Sequence, residues 1–342
     1  MRRRARPRAA AGWRAVPRLS QMSSRAASPS PLPAPAWKVW AGLWTIYVIW
    51  GSTYLAIRIM VRTVPPLLGA GLRFAVAGAL MLAVLRIRRG SLRVTRRQLV
   101  SAAAVGTLLA AGGNGLVTVA EQEVPSSLAA LLIASVPLWV VLLRARLGER
   151  PGRATLAGVA VGFAGVSLLL LPGGQPAGVS IAGLLLVILA AVSWATGSVA
   201  SSRADLPADP LVSTGYQMTI AGALMVVASA VAGELGDVHW GGLSAESLGA
   251  FTYLIFIGSI VAYTAYTWLL QHAPVSRVAT YAYVNPVIAV FLGWIVLSEE
   301  ITALTLVGAA VIVASVAFIV RHEAVPPPAV PEEEPKLERA PA

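Results

Sequence analysis

Hydrophobic residues in this chain run on for long stretches instead of alternating with polar ones. Ten such stretches cover about residues 40–60, 66–85, 98–120, 126–146, 154–171, 181–202, 211–232, 247–270, 275–297 and 303–320. Each is long enough to cross the roughly 30 Å hydrocarbon core of a bilayer. A backbone in lipid must satisfy its own hydrogen bonds, so each stretch is predicted to be an α-helix. The runs are too long and too continuous for barrel strands of about ten residues. Polar residues collect between the runs and at the two ends. Residues 1–37 are rich in Arg, Ala, Pro and Ser without an acid, and residues 323–342 carry PPP and EEE. Both read as disordered tails. The arm's composition also suits an organelle transit peptide, or a chain translated from Met22.

Within this pattern one unit is used twice. Pro66, Leu67, Gly71, Ala77, Gly78, Ala79, Leu80 and Met81 recur as Pro210, Leu211, Gly215, Ala221, Gly222, Ala223, Leu224 and Met225. The same offset carries Trp50 onto Trp194, and slightly longer ones carry Pro125 and Pro137 onto Pro274 and Pro286, and Gly158 onto Gly308. Prolines and a tryptophan in register argue against mere resemblance among membrane helices. The boundaries place a first repeat at 38–172 and a second at 173–322. Five helices per repeat is an odd number, so the second copy enters the membrane upside down. The predicted fold class is an all-α integral membrane protein, with ten transmembrane helices arranged as two inverted five-helix repeats. That plan is common among secondary transporters, whose substrate site lies between the halves.

Composition sharpens the picture. Only 12% of the 342 residues are charged, against about 25% in a soluble domain, and mean hydropathy is +0.73. The chain lacks cysteine, so it has neither disulfides nor a thiolate metal site. The net charge of +12 reads as a topology signal, and no nucleic-acid partner is implied. With the N-terminus in the cytoplasm, 24 of the 27 Lys and Arg fall on the cytoplasmic side. Arg58 and Arg62 fall outside and Arg73 within the membrane. Both termini are therefore predicted to be cytoplasmic. Glu121, Glu123, Glu234, Asp237, Glu246, Glu299 and Glu300 are placed at or near the outer face, and no acid or histidine deep in a helix. This leaves no cluster for metal hydrolysis and no paired carboxylates for acid–base work. No catalytic residue, metal or cofactor is expected.

Candidate binding residues are the polar and aromatic ones inside the apolar runs. Arg73 lies about 10 Å into its helix. Such an arginine faces a partner or a wet cavity. Its guanidinium either binds an anionic group of a substrate, such as a carboxylate, or serves structure through an ion pair with Glu121 or by snorkelling to the rim. Trp50 and Ser52 in the first helix either line a cavity or pack against neighbouring helices. Asn114, Tyr263, Tyr266, Tyr281, Tyr283 and Asn285, with the helix-opening Pro137 and Pro286, suit a cavity for a small amphipathic solute. The predicted substrate-binding set is Arg73, Trp50, Ser52, Asn114, Tyr263, Tyr281 and Asn285, with Glu121 as a coupling or ion-pair residue. Gly158, Gly162 and Gly165 permit close helix contact, within one chain or in a homodimer.

WGSTYLAIR, PPLLGAGLRF, GNGLVTVAEQ, SVPLW and ATYAYVNP, in this order between residues 40 and 320, resemble the EamA-type branch of the drug/metabolite transporter superfamily, and within it the bacterial YedA-like members. The resemblance implies ten helices, cytoplasmic termini, a bacterial plasma membrane and export of small metabolites or drugs, amino acids and their derivatives among them. The partners are then a small-molecule substrate and the lipid bilayer. The expected function is an alternating-access secondary transporter, with Glu121 the carboxylate for any proton coupling. A channel and an integral membrane enzyme acting on a lipid or metabolite are the alternatives.

Overall fold

The computed structural model describes residues 35–171, 176, 178–273 and 275–323. Most of the N-terminal arm, the C-terminal tail and Pro274 lie outside these residues. Among the described residues there is no strand, and nine helices are long and apolar enough to cross a membrane. They are α1 Ala36–Met60, α2 Pro66–Arg89, α3 Arg96–Ala120, α4 Ser126–Arg146, α5 Arg153–Leu170, α6 Ile181–Ser201, α7 Pro210–Val231, α8 Ala245–His272 and, last in the chain, α10 Ala303–His322. Between the last two lies α9, Tyr281–Leu297. The first helix begins at Ala36, so residues 36 and 37 belong to it and not to a disordered arm. The ninth was predicted to start at residue 275, but Val275–Val278 forms a separate short turn. The remaining 17 residues of α9 span about 25 Å, just short of the hydrocarbon core.

Local chemistry sets the helix ends. Pro66 and Pro210 occupy the first turns of α2 and α7, where a missing N–H costs nothing. Asp209 caps α7 by accepting from the Leu211 and Val212 N–H groups at 2.9 and 3.2 Å. The N-terminal ends of α2 and α4 lack a side-chain cap of their own and borrow distant carboxylates. Glu234 accepts from the N–H groups of Leu67 and Leu68, and Glu299 from those of Ser126 and Ser127. Two helices depart from α geometry near their middles. Thr107–Gly115 in α3 and Leu254–Val261 in α8 are π-helical, and α4 is interrupted at Ala134–Ser135 just before Pro137.

The recurring small residues form the principal seams. α2 packs antiparallel on α7, with Gly71 meeting Gly222 and Gly78 meeting Gly215. A Cβ on Gly78 would lie 2.6 Å from the Thr219 backbone nitrogen, and one on Gly71 2.8 Å from that of Val226. Only glycine permits that approach. α5 packs antiparallel on α10 in the same way, with Gly158 against Ile319, Gly162 against Ser315 and Gly165 against Ile312. The three glycines of α5 thus pack within the chain. α1 packs against α8 and α9, and α6 against α3 and α4.

Candidate functional site

A cavity of about 130 Å³ lies among α1, α2, α3, α4, α6, α8 and α9. An apolar protein cavity of about 150 Å³ holds a benzene ring, so this one suits a small solute. Its aromatic wall is organised on Trp50 of α1. The Trp50 ring meets Tyr263 edge-on at 5.4 Å, Tyr281 edge-on at 5.2 Å and Tyr266 at a tilt at 5.2 Å. These three tyrosines come from α8 and α9, so one tryptophan gathers three helices. Trp194, the residue matched to Trp50, lines the same space from α6. It packs against Gly113, where a Cβ would fall 2.6 Å from the indole.

Arg73 of α2 supplies the charge. It is 3% exposed and lines the cavity. Its Nε donates to Ser259 Oγ at 3.0 Å, and its guanidinium carbon sits 4.6 Å from the Phe74 ring centre. Ser259 belongs to the π-helical stretch of α8, so this local unwinding aims the hydroxyl that orients the arginine. Among the described residues no carboxylate lies within ion-pair distance of Arg73. The ion pair with Glu121 offered as one reading of the sequence is not formed.

Asn114 lies in the π-helical stretch of α3, and its Nδ2 is buried without a hydrogen-bond partner. Asn285, at the start of α9, is 8% exposed. In the amide orientation that satisfies its neighbours, Nδ2 donates to the Tyr281 and Tyr47 carbonyls at 3.3 Å each. Pro137 and Pro286 both face the cavity.

The cavity thus brings together Arg73, Trp50, Asn114, Tyr263, Tyr281 and Asn285. Ser52 is not among its lining residues. Its hydroxyl donates to the Ile49 carbonyl at 2.9 Å and pairs with the Tyr253 hydroxyl at 2.7 Å, joining α1 to α8. The adjacent Thr53 and Tyr54 line the space instead. Glu121 does not line it either. It follows the last residue of α3, fully buried, with both carboxylate oxygens lacking a hydrogen-bond partner. It keeps its predicted place at the end of α3, but the surrounding helices bury it. Burial, with the Glu299 carboxylate second, pushes its carboxyl well above the usual range against the opposing fields of Arg58 and Arg73.

The arrangement offers one guanidinium, an unpaired amide N–H and tyrosine hydroxyls around an aromatic wall, without a lining acid. A guanidinium and an unpaired amide N–H beside an aromatic wall suit a small solute with an anionic end and an apolar body.

Comparison with known proteins agrees with this architecture. The model of the EamA-like transporter family matches residues 39–171 and again residues 181–321. The uncharacterised inner membrane transporter YedA of Escherichia coli (strain K12) is 40% identical over 286 residues, covering 82% of this chain and 90% of its own length. A probable amino-acid metabolite efflux pump of Salmonella typhimurium is 25% identical over 276 residues, covering 79% of this chain and 90% of the relative. A crystal structure 24% identical in sequence superposes with a TM-score of 0.58, covering 83% of this chain and 98% of that one. At that identity it speaks for the fold alone.

Proposed function

This chain belongs to the EamA-like transporter family, and from that premise we propose that it is an alternating-access secondary transporter exporting a small amphipathic carboxylate, such as an amino acid or a derivative, across the bacterial plasma membrane. The observation that carries the reading is Arg73: a buried guanidinium, unpaired with any carboxylate among the described residues, opening onto an aromatic cavity. A membrane protein keeps so costly a group where it meets a ligand or a pathway.

Several features support ten crossings in two inverted repeats. The family match occurs twice. The two antiparallel seams are self-complementary: under the offset that matches the repeats, Gly71 against Gly222 exchanges with Gly215 against Gly78. An internal two-fold axis produces contacts of this kind. α1 packing on α8 and α9, echoed by α6 on α3 and α4, follows the same rule. The cavity then lies between the halves, where rocking exposes it to either side. The cytoplasmic bias of Lys and Arg supports cytoplasmic termini. The name of the Salmonella relative supports export and the amino-acid class.

The test is the extracellular metabolite profile of cells that overexpress the chain, lack it, or carry Arg73→Gln at equal membrane level. A carboxylate that accumulates outside with the protein, falls without it and stays low with Arg73→Gln is the expected result. Export retained by Arg73→Gln would remove the arginine from the site, and an unchanged profile in every strain would remove the exporter reading.

A further inference from the structure

Glu121 is the buried acid, among the described residues, that the site does not use and the fold does not satisfy. Its side chain is fully buried and neither carboxylate oxygen has a hydrogen-bond partner. Two other acids at this face are occupied. Glu299 holds Ser126 and Ser127, with three bonds of 2.8–2.9 Å, and Glu234 holds Leu67, Leu68 and Ser229. Glu121 lies one helical turn beyond Val117, which lines the cavity. The titratable groups facing it are Tyr54 and Arg58 of α1, Arg73 of α2 and Glu299 beyond α9. Arg58 spends an N–H on the Glu121 main-chain carbonyl. α6, packed along the end of α3, carries no titratable side chain, and Glu123 in the same loop is exposed.

An ionised carboxylate buried without a partner is so unfavourable that the group binds a proton instead. A metal cation does not fit beside two arginines. We propose that Glu121 is a proton-binding site linked to Arg73, so that the proton on Glu121 leaves Arg73 available for the substrate's carboxylate. This rests on the reading of Arg73 as the substrate's anchor.

The geometry fixes the sign of the linkage. Here Arg73 turns to Ser259 and the cavity, the arrangement that a neutral Glu121 permits. With Glu121 ionised, its carboxylate competes for the guanidinium. A substrate carboxylate on Arg73 therefore raises the proton affinity of Glu121, which goes from carboxylate to carboxylic acid by taking one proton from solution. Proton and anion bind cooperatively instead of displacing one another. Coupling between two sites of this kind is typically about 5- to 150-fold, and it is reciprocal.

The test uses the full chain in lipid vesicles and needs no knowledge of the substrate. Infrared spectra are recorded across a pH series, and the protonated-carboxyl stretch is read as wild type minus Glu121→Gln. The expected result is a band at neutral pH that Glu121→Gln lacks. Its titration midpoint should rise by about 0.7–2 pH units in Arg73→Gln, the same coupling expressed as a shift, and stay near wild type in Arg73→Lys. Glu121→Asp, which moves the band without removing it, serves if Glu121→Gln fails to fold. Absence of the band at neutral pH would overturn the proposal. So would a midpoint that Arg73→Gln leaves unchanged, or that Arg73→Lys shifts as far as Arg73→Gln does. Failure of the exporter reading is a separate result, an unchanged metabolite profile with the spectroscopic signature intact.

Discussion

Replacing Arg73 by glutamine distinguishes an arginine kept for substrate from one kept for structure. In its surroundings Arg73 makes one hydrogen bond, from Nε to Ser259, and one ring contact, with Phe74. The bond is worth about 1.5–3 kcal/mol and the ring contact about 0.5–2 kcal/mol. Against these stands the cost of burying the charge, several kcal/mol for an ion without a counterion. The terms nearly cancel, so Arg73→Gln should change stability by no more than about 2 kcal/mol in either direction. A structural ion pair would behave differently, because removing one partner strands the other and destabilises by about 3–5 kcal/mol. Function should move the other way. Truncating one side of a buried, hydrogen-bonded charge pair weakens binding by about 2–5 kcal/mol, or about 30- to 4,000-fold at 1.4 kcal/mol per decade. The assay pairs thermal unfolding of the purified protein in lipid, followed by tryptophan fluorescence, with the concentration dependence of export. Destabilisation of 3 kcal/mol or more with an unchanged half-saturation concentration would refute the reasoning.

Further outcomes follow from the seams, the caps and the charge bias. Gly222→Leu should unfold the α2–α7 seam, costing at least the roughly 1–3 kcal/mol of core overpacking, whereas Gly249→Ala, with nothing within 4 Å, should leave unfolding unchanged or raise it by up to about 1 kcal/mol. Loss of the Glu299 carboxylate in Glu299→Ala frees the Ser126 and Ser127 N–H groups and should cost about 1–2 kcal/mol as a lost cap, read by the same melt; a stability equal to wild type would remove Glu299 as the cap of α4. Because the chain lacks cysteine, single cysteines report topology without background. Glu123→Cys should react with a membrane-impermeant maleimide in intact cells and Arg93→Cys only after permeabilisation, and the reverse pattern would invert the orientation.

Much of the site was legible because polar and aromatic groups stand out in apolar helices. Trp50, Arg73, Asn114, Tyr263, Tyr281 and Asn285 each carry a polar atom or a wide ring that lipid does not solvate, and all six converge on one cavity. The recurring glycines were legible as a repeat, but their use as a self-complementary seam needed coordinates. Ser52 misled because a hydroxyl's direction depends on what the next helix presents. Here the neighbour is the Tyr253 hydroxyl, which draws Ser52 away while Thr53 and Tyr54 turn inward. The depth of Glu121 is tertiary in origin. By hydropathy it ends a helix at the surface, but the helices packed around the end of α3 bury it. The π-helical stretches in α3 and α8 had only indirect signals, Gly112–Gly115 and Gly258–Ser259, and the late start of α9 had none that periodicity detects.

The central claim is carrier-type movement of a small carboxylate through the cavity anchored on Arg73. Its most direct measurement is exchange by the purified chain in proteoliposomes, with the compound singled out by the export profile loaded inside and its labelled form outside. The account predicts saturable uptake, accelerated by unlabelled compound on the opposite side and lost in Arg73→Gln. Uptake that rises without saturation, or that Arg73→Gln leaves intact, would contradict it.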